Sequence, residues 1–156
     1  MTPFAKARVL ALLIPAALLA GAWGSQLIGH LYPCEMCHWQ RWPHYAALPF
    51  ALLAFVPKMP QRLFVAIAAI AIATSGAIGV AHAGVEYHWW NGFTPCTATF
   101  GNGGDLLTEI LKAPIIRCDV AQWTLFGISL AGFNAIISLS GAAAIFYFLT
   151  RRSARG

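Results

Sequence analysis

Leu63-Phe-Val-Ala-Ile-Ala-Ala-Ile-Ala-Ile-Ala-Thr-Ser-Gly-Ala-Ile-Gly-Val-Ala-His82 contains no Asp, Glu, Lys or Arg. A helix needs about 20 mostly apolar residues to cross the hydrocarbon core of a bilayer, so this stretch reads as a transmembrane span. Outward from it lie three more apolar runs, at about residues 9–29, 42–57 and 123–149. The second is short and holds Pro43, Pro49 and Pro57, which neighbouring helices can accommodate by satisfying the backbone groups that proline frees. The whole chain has 156 residues, 59% apolar and 10% charged, against about 25% charged in soluble domains. A water-soluble globule and a large extramembrane catalytic domain are both excluded. The expected fold is all-α: one polytopic membrane domain, residues 1–156, built as a bundle of four transmembrane helices.

Charge gives this bundle an inside and an outside, because Lys and Arg collect on the cytoplasmic flanks of spans. With four spans, Lys6, Arg8, Lys58, Arg62, Arg151, Arg152 and Arg155 fall on one side. The other side receives Arg41, Lys112 and Arg117 with all five acids, Glu35, Glu86, Asp105, Glu109 and Asp119. Both termini are therefore expected in the cytoplasm, and loops of about residues 30–41 and 83–122 outside it. The net charge of +5 is a topology signal; no nucleic-acid partner is expected, since such a footprint clusters on one folded face. The first run has the basic start and small residues of a secretory signal. It continues to Gly29, beyond the roughly 7–15 residues of a signal core, and is read as a retained span.

All four cysteines, Cys34, Cys37, Cys96 and Cys118, fall in the two outer loops, on the side where disulfides persist. Two permanent staples are one reading, redox chemistry the other, and four cysteines allow three pairings. Cys34-Glu-Met-Cys37 has the spacing with which one thiol attacks and its neighbour resolves. Cys37 precedes the second span and Arg41 follows four residues on, and a helix N-terminus and a guanidinium both favour thiolate. Arg41 at the membrane boundary is functional by default, or else an anchor that snorkels beside Trp39 and Trp42. His82, at the outer end of the third span, is a second ionisable group there, with helix capping as its plainer role. In the second loop, residues 105–112 carry Leu106, Leu107, Ile110 and Leu111 at helical spacing, which predicts a short interfacial helix.

Cys34-Glu-Met-Cys37-His38 also matches the C-x-x-C-H attachment signature of c-type haem, with His30, His44, His82 or His88 as the second axial ligand. A loop of about a dozen residues is too short to enclose a macrocycle, and haem leaves Cys96, Cys118 and Arg41 without a role. A Cys/His zinc site is weaker, for want of a second paired ligand motif.

Taken together, Cys34-Glu-Met-Cys37-His-Trp-Gln-Arg41, the separated Cys96 and Cys118, and Cys118-Asp-Val-Ala-Gln-Trp123 leading to Gly127-Ile-Ser129 resemble the bacterial DsbB family of quinone-dependent membrane thiol oxidases. The resemblance spans nearly the whole chain. It implies an inner-membrane protein-disulfide oxidoreductase whose Cys96–Cys118 disulfide faces a periplasmic, DsbA-like thioredoxin-fold partner. Electrons would pass through Cys118 and Cys34 to Cys37 and then to ubiquinone or menaquinone from the membrane pool. Arg41 would position the quinone, and His82 would lie by its ring. Gln40 stands where some members carry a glutamate.

Overall fold

The computed structural model describes residues 1–92, 94 and 116–151. Four long helices account for most of them: α1 (Pro3–Leu27), α2 (Glu35–Leu53), α3 (Gln61–Glu86) and α4 (Leu130–Thr150). Three of these, α1, α3 and α4, are long and apolar enough to cross a membrane. In α2 the first two turns carry Glu35, His38, Gln40 and Arg41, which lowers its hydropathy. Cys96 and residues 105–112, the expected interfacial helix, lie outside the described residues.

Local chemistry sets the helix ends. Thr2 caps α1 by accepting from Ala5 N, with proline in the first turn, where its missing N–H costs nothing. The helix therefore starts ahead of the apolar run, and Lys6 and Arg8 lie against the rings of Phe148 and Phe55. Ser129 caps α4 through Gly132 N. The apolar run from Trp123 thus does not enter a helix at once. Strands β1 (Thr124–Leu125) and β2 (Ile128–Ser129) pair antiparallel first, turning through Phe126 and Gly127 with φ of 52° and 77°. Positive φ at both central residues is the twist that suits a two-residue hairpin. The fold is otherwise helical. At its far end α3 runs one turn past His82, to Glu86, so that His82 and Glu86, four apart, share a face.

Long-range hydrogen bonds give the arrangement. Arg8 near the start of α1 reaches Ala54 after α2, and Arg62 at the start of α3 reaches Leu149 near the end of α4. At the opposite end Arg41 of α2 bonds Ala22 and Gln26 of α1, and Gln40 bonds His82 of α3 and Asn134 of α4. Each helix packs on its chain neighbours, and α1 closes the ring against α4. The core near the termini is mostly small side chains, with Ala7, Ala11, Ala47, Ala51, Ala68, Ala69 and Ala142 around Val65, Ile72 and Ile145. Small residues let helices approach closely, which is how packing replaces hydrophobic drive inside lipid. At Gly79 a Cβ would sit 3.0 Å from Ala135 N and 3.1 Å from Ala131 O, so α3 and α4 touch backbone to backbone there.

Candidate functional site

The site forms at the end where α1 and α3 finish and α2 and α4 begin. Pro33 precedes an extended Cys34, whose Sγ accepts from Cys37 N at 3.3 Å and so caps α2. Capping folds the C-x-x-C motif into one helical turn, with the two sulfurs 2.8 Å apart and both thiols free.

The two thiols are not equivalent. They lie ahead of the apolar part of α2, and the hydrogen bond between them, reinforced by burial, pushes the Cys34 thiol up. The same bond, with the main-chain contact to Cys34 and the charge of Arg41, brings Cys37 down despite its burial. The anion is therefore favoured on Cys37 over Cys34.

Arg41 is one turn further on and only 8% exposed. It donates to Gln26 Oε1 at 2.8 Å and Ala22 O at 3.0 Å and covers the Trp23 ring. Both partners are neutral, so the positive charge remains available to an anion beside Cys37. His82 is 1% exposed; its Nε2 lies 3.5 Å from Cys34 Sγ and its Nδ1 2.7 Å from Gln40 Nε2. Among the described residues, Cys34, Cys37 and His82 bring a sulfur or ring nitrogen each within 4.8 Å of one another, short of the four ligands of a structural zinc site.

Cys118 joins them from the second loop. It is disulfide-bonded and fully buried, packed with Cys34, Met36 and Val85, with Cys37 and Ile116 at the edge. Gln122 donates to Tyr32 O at 2.7 Å, tying the loops together. Tyr87 donates to Gly127 O and accepts from Ser129 N, fastening the hairpin to the end of α3. Of the six residues singled out in the sequence, five meet here, and Cys96 lies outside the described residues. His38, which the haem reading requires, is exposed.

Two cavities meet at Cys37 and Arg41. One, of about 50 Å³, opens beside Cys34, His82, Glu86 and Arg117. The other, of about 220 Å³, runs between α1, α2 and α4 past Leu18, Leu19 and Phe133, with His44 and Asn134 at its back. Apolar walls with a few convergent polar groups are the usual make-up of a small-molecule site.

A buried polar chain extends this site into the bundle; Gln40 and His44 were singled out in the sequence in other connections, but Ser75, Asn134 and Ser138, and the chain they form, were not. Gln40 Oε1 accepts from Asn134 Nδ2 at 2.8 Å, and Asn134 Oδ1 faces His44 Nε2 and accepts from Ser138, both at 3.0 Å. Ser75 donates to Gln40 O and lies 2.9 Å from His44 Nε2. Polar residues inside apolar runs, His44, Ser75, Asn134 and Ser138, were the signal available for it.

A scan of protein-family models matched residues 5–148 to the family described as Disulfide bond formation protein DsbB. No curated protein and no solved structure matched the chain. With a free C-x-x-C pair, a disulfide-bonded Cys118 against it and a family match over almost its full length, the chain belongs to the DsbB family of disulfide bond formation proteins.

Proposed function

We propose that this protein is a four-span inner-membrane oxidase that reoxidises a periplasmic DsbA-like protein and passes the electrons to quinone. Its termini face the cytoplasm and its cysteine end the periplasm, in line with the charge distribution. The observation that carries the reading is the packing of Cys118 on the Cys34–Cys37 pair, with an apolar cleft beyond Cys37. Thiol exchange needs the attacking sulfur to reach the disulfide, and membership of one buried cluster keeps Cys118 near the pair.

The exchange runs in balanced steps. A partner thiolate attacks Cys96 of a Cys96–Cys118 disulfide, forming a mixed disulfide and releasing Cys118 as thiolate. Cys118 attacks Cys34 of the oxidised Cys34–Cys37 pair; the Cys118–Cys34 bond forms, the Cys34–Cys37 bond breaks, and the electron pair leaves on Cys37. The partner's second thiol displaces Cys96, which attacks Cys118 and restores the first disulfide, leaving Cys34 reduced. Free Cys34 and Cys37 beside a bonded Cys118 match the end of this sequence.

The donor set fits a quinone head. The cleft of about 220 Å³ is below the roughly 300–1,000 Å³ of drug-sized sites, a size for one ring with its tail left among apolar side chains. Arg41 and Cys37 line it, and His44 has a buried Nδ1 with no hydrogen bond among the described residues. A bound quinone supplies a two-electron acceptor. Such an acceptor is required because a partner near −120 mV is a strong oxidant and each 30 mV uphill costs about 1.4 kcal/mol. Arg41 holds negative charge on that side of Cys37, and the apolar walls exclude water.

The test is turnover of purified protein with a reduced thioredoxin-fold partner and ubiquinone or menaquinone, followed by quinone absorbance. Quinone-dependent oxidation is expected, and its loss in Cys37→Ser and in Cys96→Ser. Undiminished activity in either variant would falsify the assigned roles.

A further inference from the structure

Two buried amides are oriented by main-chain carbonyls. Gln40 Nε2 lies 3.3 Å from Met36 O, and Asn134 Nδ2 lies 3.1 Å from Ser75 O. A carbonyl oxygen only accepts, so in each amide the atom facing it is the nitrogen. Gln40 Oε1 then accepts from Asn134, and Gln40 Nε2 donates to His82 Nδ1 at 2.7 Å. A ring nitrogen that accepts carries no proton, which puts the proton of the neutral imidazole on Nε2. That nitrogen faces Cys34 Sγ at 3.5 Å and Glu86 Oε1 at 3.7 Å, and the ring also hydrogen-bonds the main chain of Cys118, so the Cys34 sulfur shares the donor with a carbonyl.

We infer that Gln40 is a positioning residue, which by donating to Nδ1 holds His82 as the Nε2–H tautomer and makes it a hydrogen-bond donor to the Cys34 sulfur. The inference rests on the dithiol reading given above. When Cys96 thiolate attacks Cys118 of a Cys34–Cys118 disulfide, the Cys96–Cys118 bond forms, the Cys34–Cys118 bond breaks, and the electron pair leaves on Cys34. Charge moves from one sulfur to another and no proton is required. A donor fixed beside the leaving sulfur stabilises that charge, more so with Met36 and Val85 around it. While Gln40 donates to Nδ1, that nitrogen has no lone pair free to take the Cys34 proton, so His82 serves as donor and not as base. Nor does Nε2 offer a lone pair to a metal.

The charged and titratable groups that line the small cavity with this ring are Tyr32, Cys34, Cys37 and Arg41 around the start of α2, Glu86 from α3 and Arg117 from the second loop; Asn134 and Ser129 of the α4 end are neutral. The Glu86 carboxyl turns one oxygen toward Nε2–H, and its Oε2, beside the Ser129 hydroxyl, makes no hydrogen bond of good geometry among the described residues.

The decisive measurement is ¹⁵N-histidine NMR of the reduced protein in detergent near neutral pH, with His82 assigned by the signal lost in His82→Ala. The Nε2–H pattern is expected in the unsubstituted protein, and an Nδ1–H pattern overturns the inference without need of any variant at position 40. Gln40→Glu, nearly isosteric, puts an acceptor opposite Nδ1 and draws the proton there. Resolution of its Cys34–Cys118 disulfide by Cys96, the step in which Cys34 leaves, followed by quenching and alkylation, should slow about tenfold at high pH. The rate should recover at low pH, as a doubly protonated ring regains Nε2–H, giving an inflection that the parent protein lacks. A folded Gln40→Glu protein with the parent rate and pH profile also overturns the inference. Absence of quinone-linked turnover in the parent protein would defeat the oxidase reading, and the NMR result separates that failure from this one.

Discussion

At Cys37 a single side chain is set by three neighbours: the Cys34 thiol, the first turn of α2 and the Arg41 guanidinium. All three favour the anion. Because its proton affinity is lowered, the thiolate persists as pH falls below the ordinary thiol value of about 8.5 and is lost only at the lowered value. Alkylation of Cys37 in the reduced protein, read by mass spectrometry against pH, should therefore show a midpoint lower than that of an ordinary thiol. Arg41→Met should raise that midpoint. Arg41→Lys keeps the charge but not the two-point hold on Gln26 and Ala22. Its KM for quinone should rise about tenfold, with kcat changed less; an unchanged KM would remove Arg41 from the cleft's function.

At the scale of elements, the contact between α3 and α4 keeps the site in register. Gly79→Val would drive a side chain into the α4 backbone at Ala131 and Ala135. A loss of about 1–3 kcal/mol is expected, seen as a lower Tm in detergent, with His82 and Asn134 displaced along with α3 and α4. The hairpin offers the opposite experiment. Phe126 adopts φ of 52° while 92% exposed, a conformation costly for a bulky residue. Phe126→Asn fits the same turn and should stabilise the protein by about 1 kcal/mol in thermal unfolding. A lower Tm would mean that the exposed ring makes a contact that holds the fold.

For the molecule as a whole, orientation and electron flow are one prediction. In quinone-depleted membranes supplied with reduced partner, Cys34 and Cys37 should accumulate as thiols, trapped by alkylation, and adding quinone should clear them. Cysteines that stay oxidised without quinone would indicate a stapled scaffold. A membrane-impermeant thiol reagent should label the new thiol of Lys58→Cys only after the cytoplasmic face is opened.

The amino-acid sequence by itself determined the membrane habitat, the chain's family and the C-x-x-C-x-x-x-R chemistry, because length, hydropathy and short spacings are local properties. Tertiary structure decided the rest. The meeting of Cys118 with Cys34 joins loops far apart in sequence, and Gln40 meets His82 and Asn134 at separations of 42 and 94 residues. Those meetings depend on how each helix is rotated about its axis, a global packing outcome that no local pattern encodes. The extra turn of α3 is of the same kind: Glu86 reads as a loop acid in the sequence, and packing on the hairpin through Tyr87 and Ser129 makes it part of the helix and a neighbour of His82.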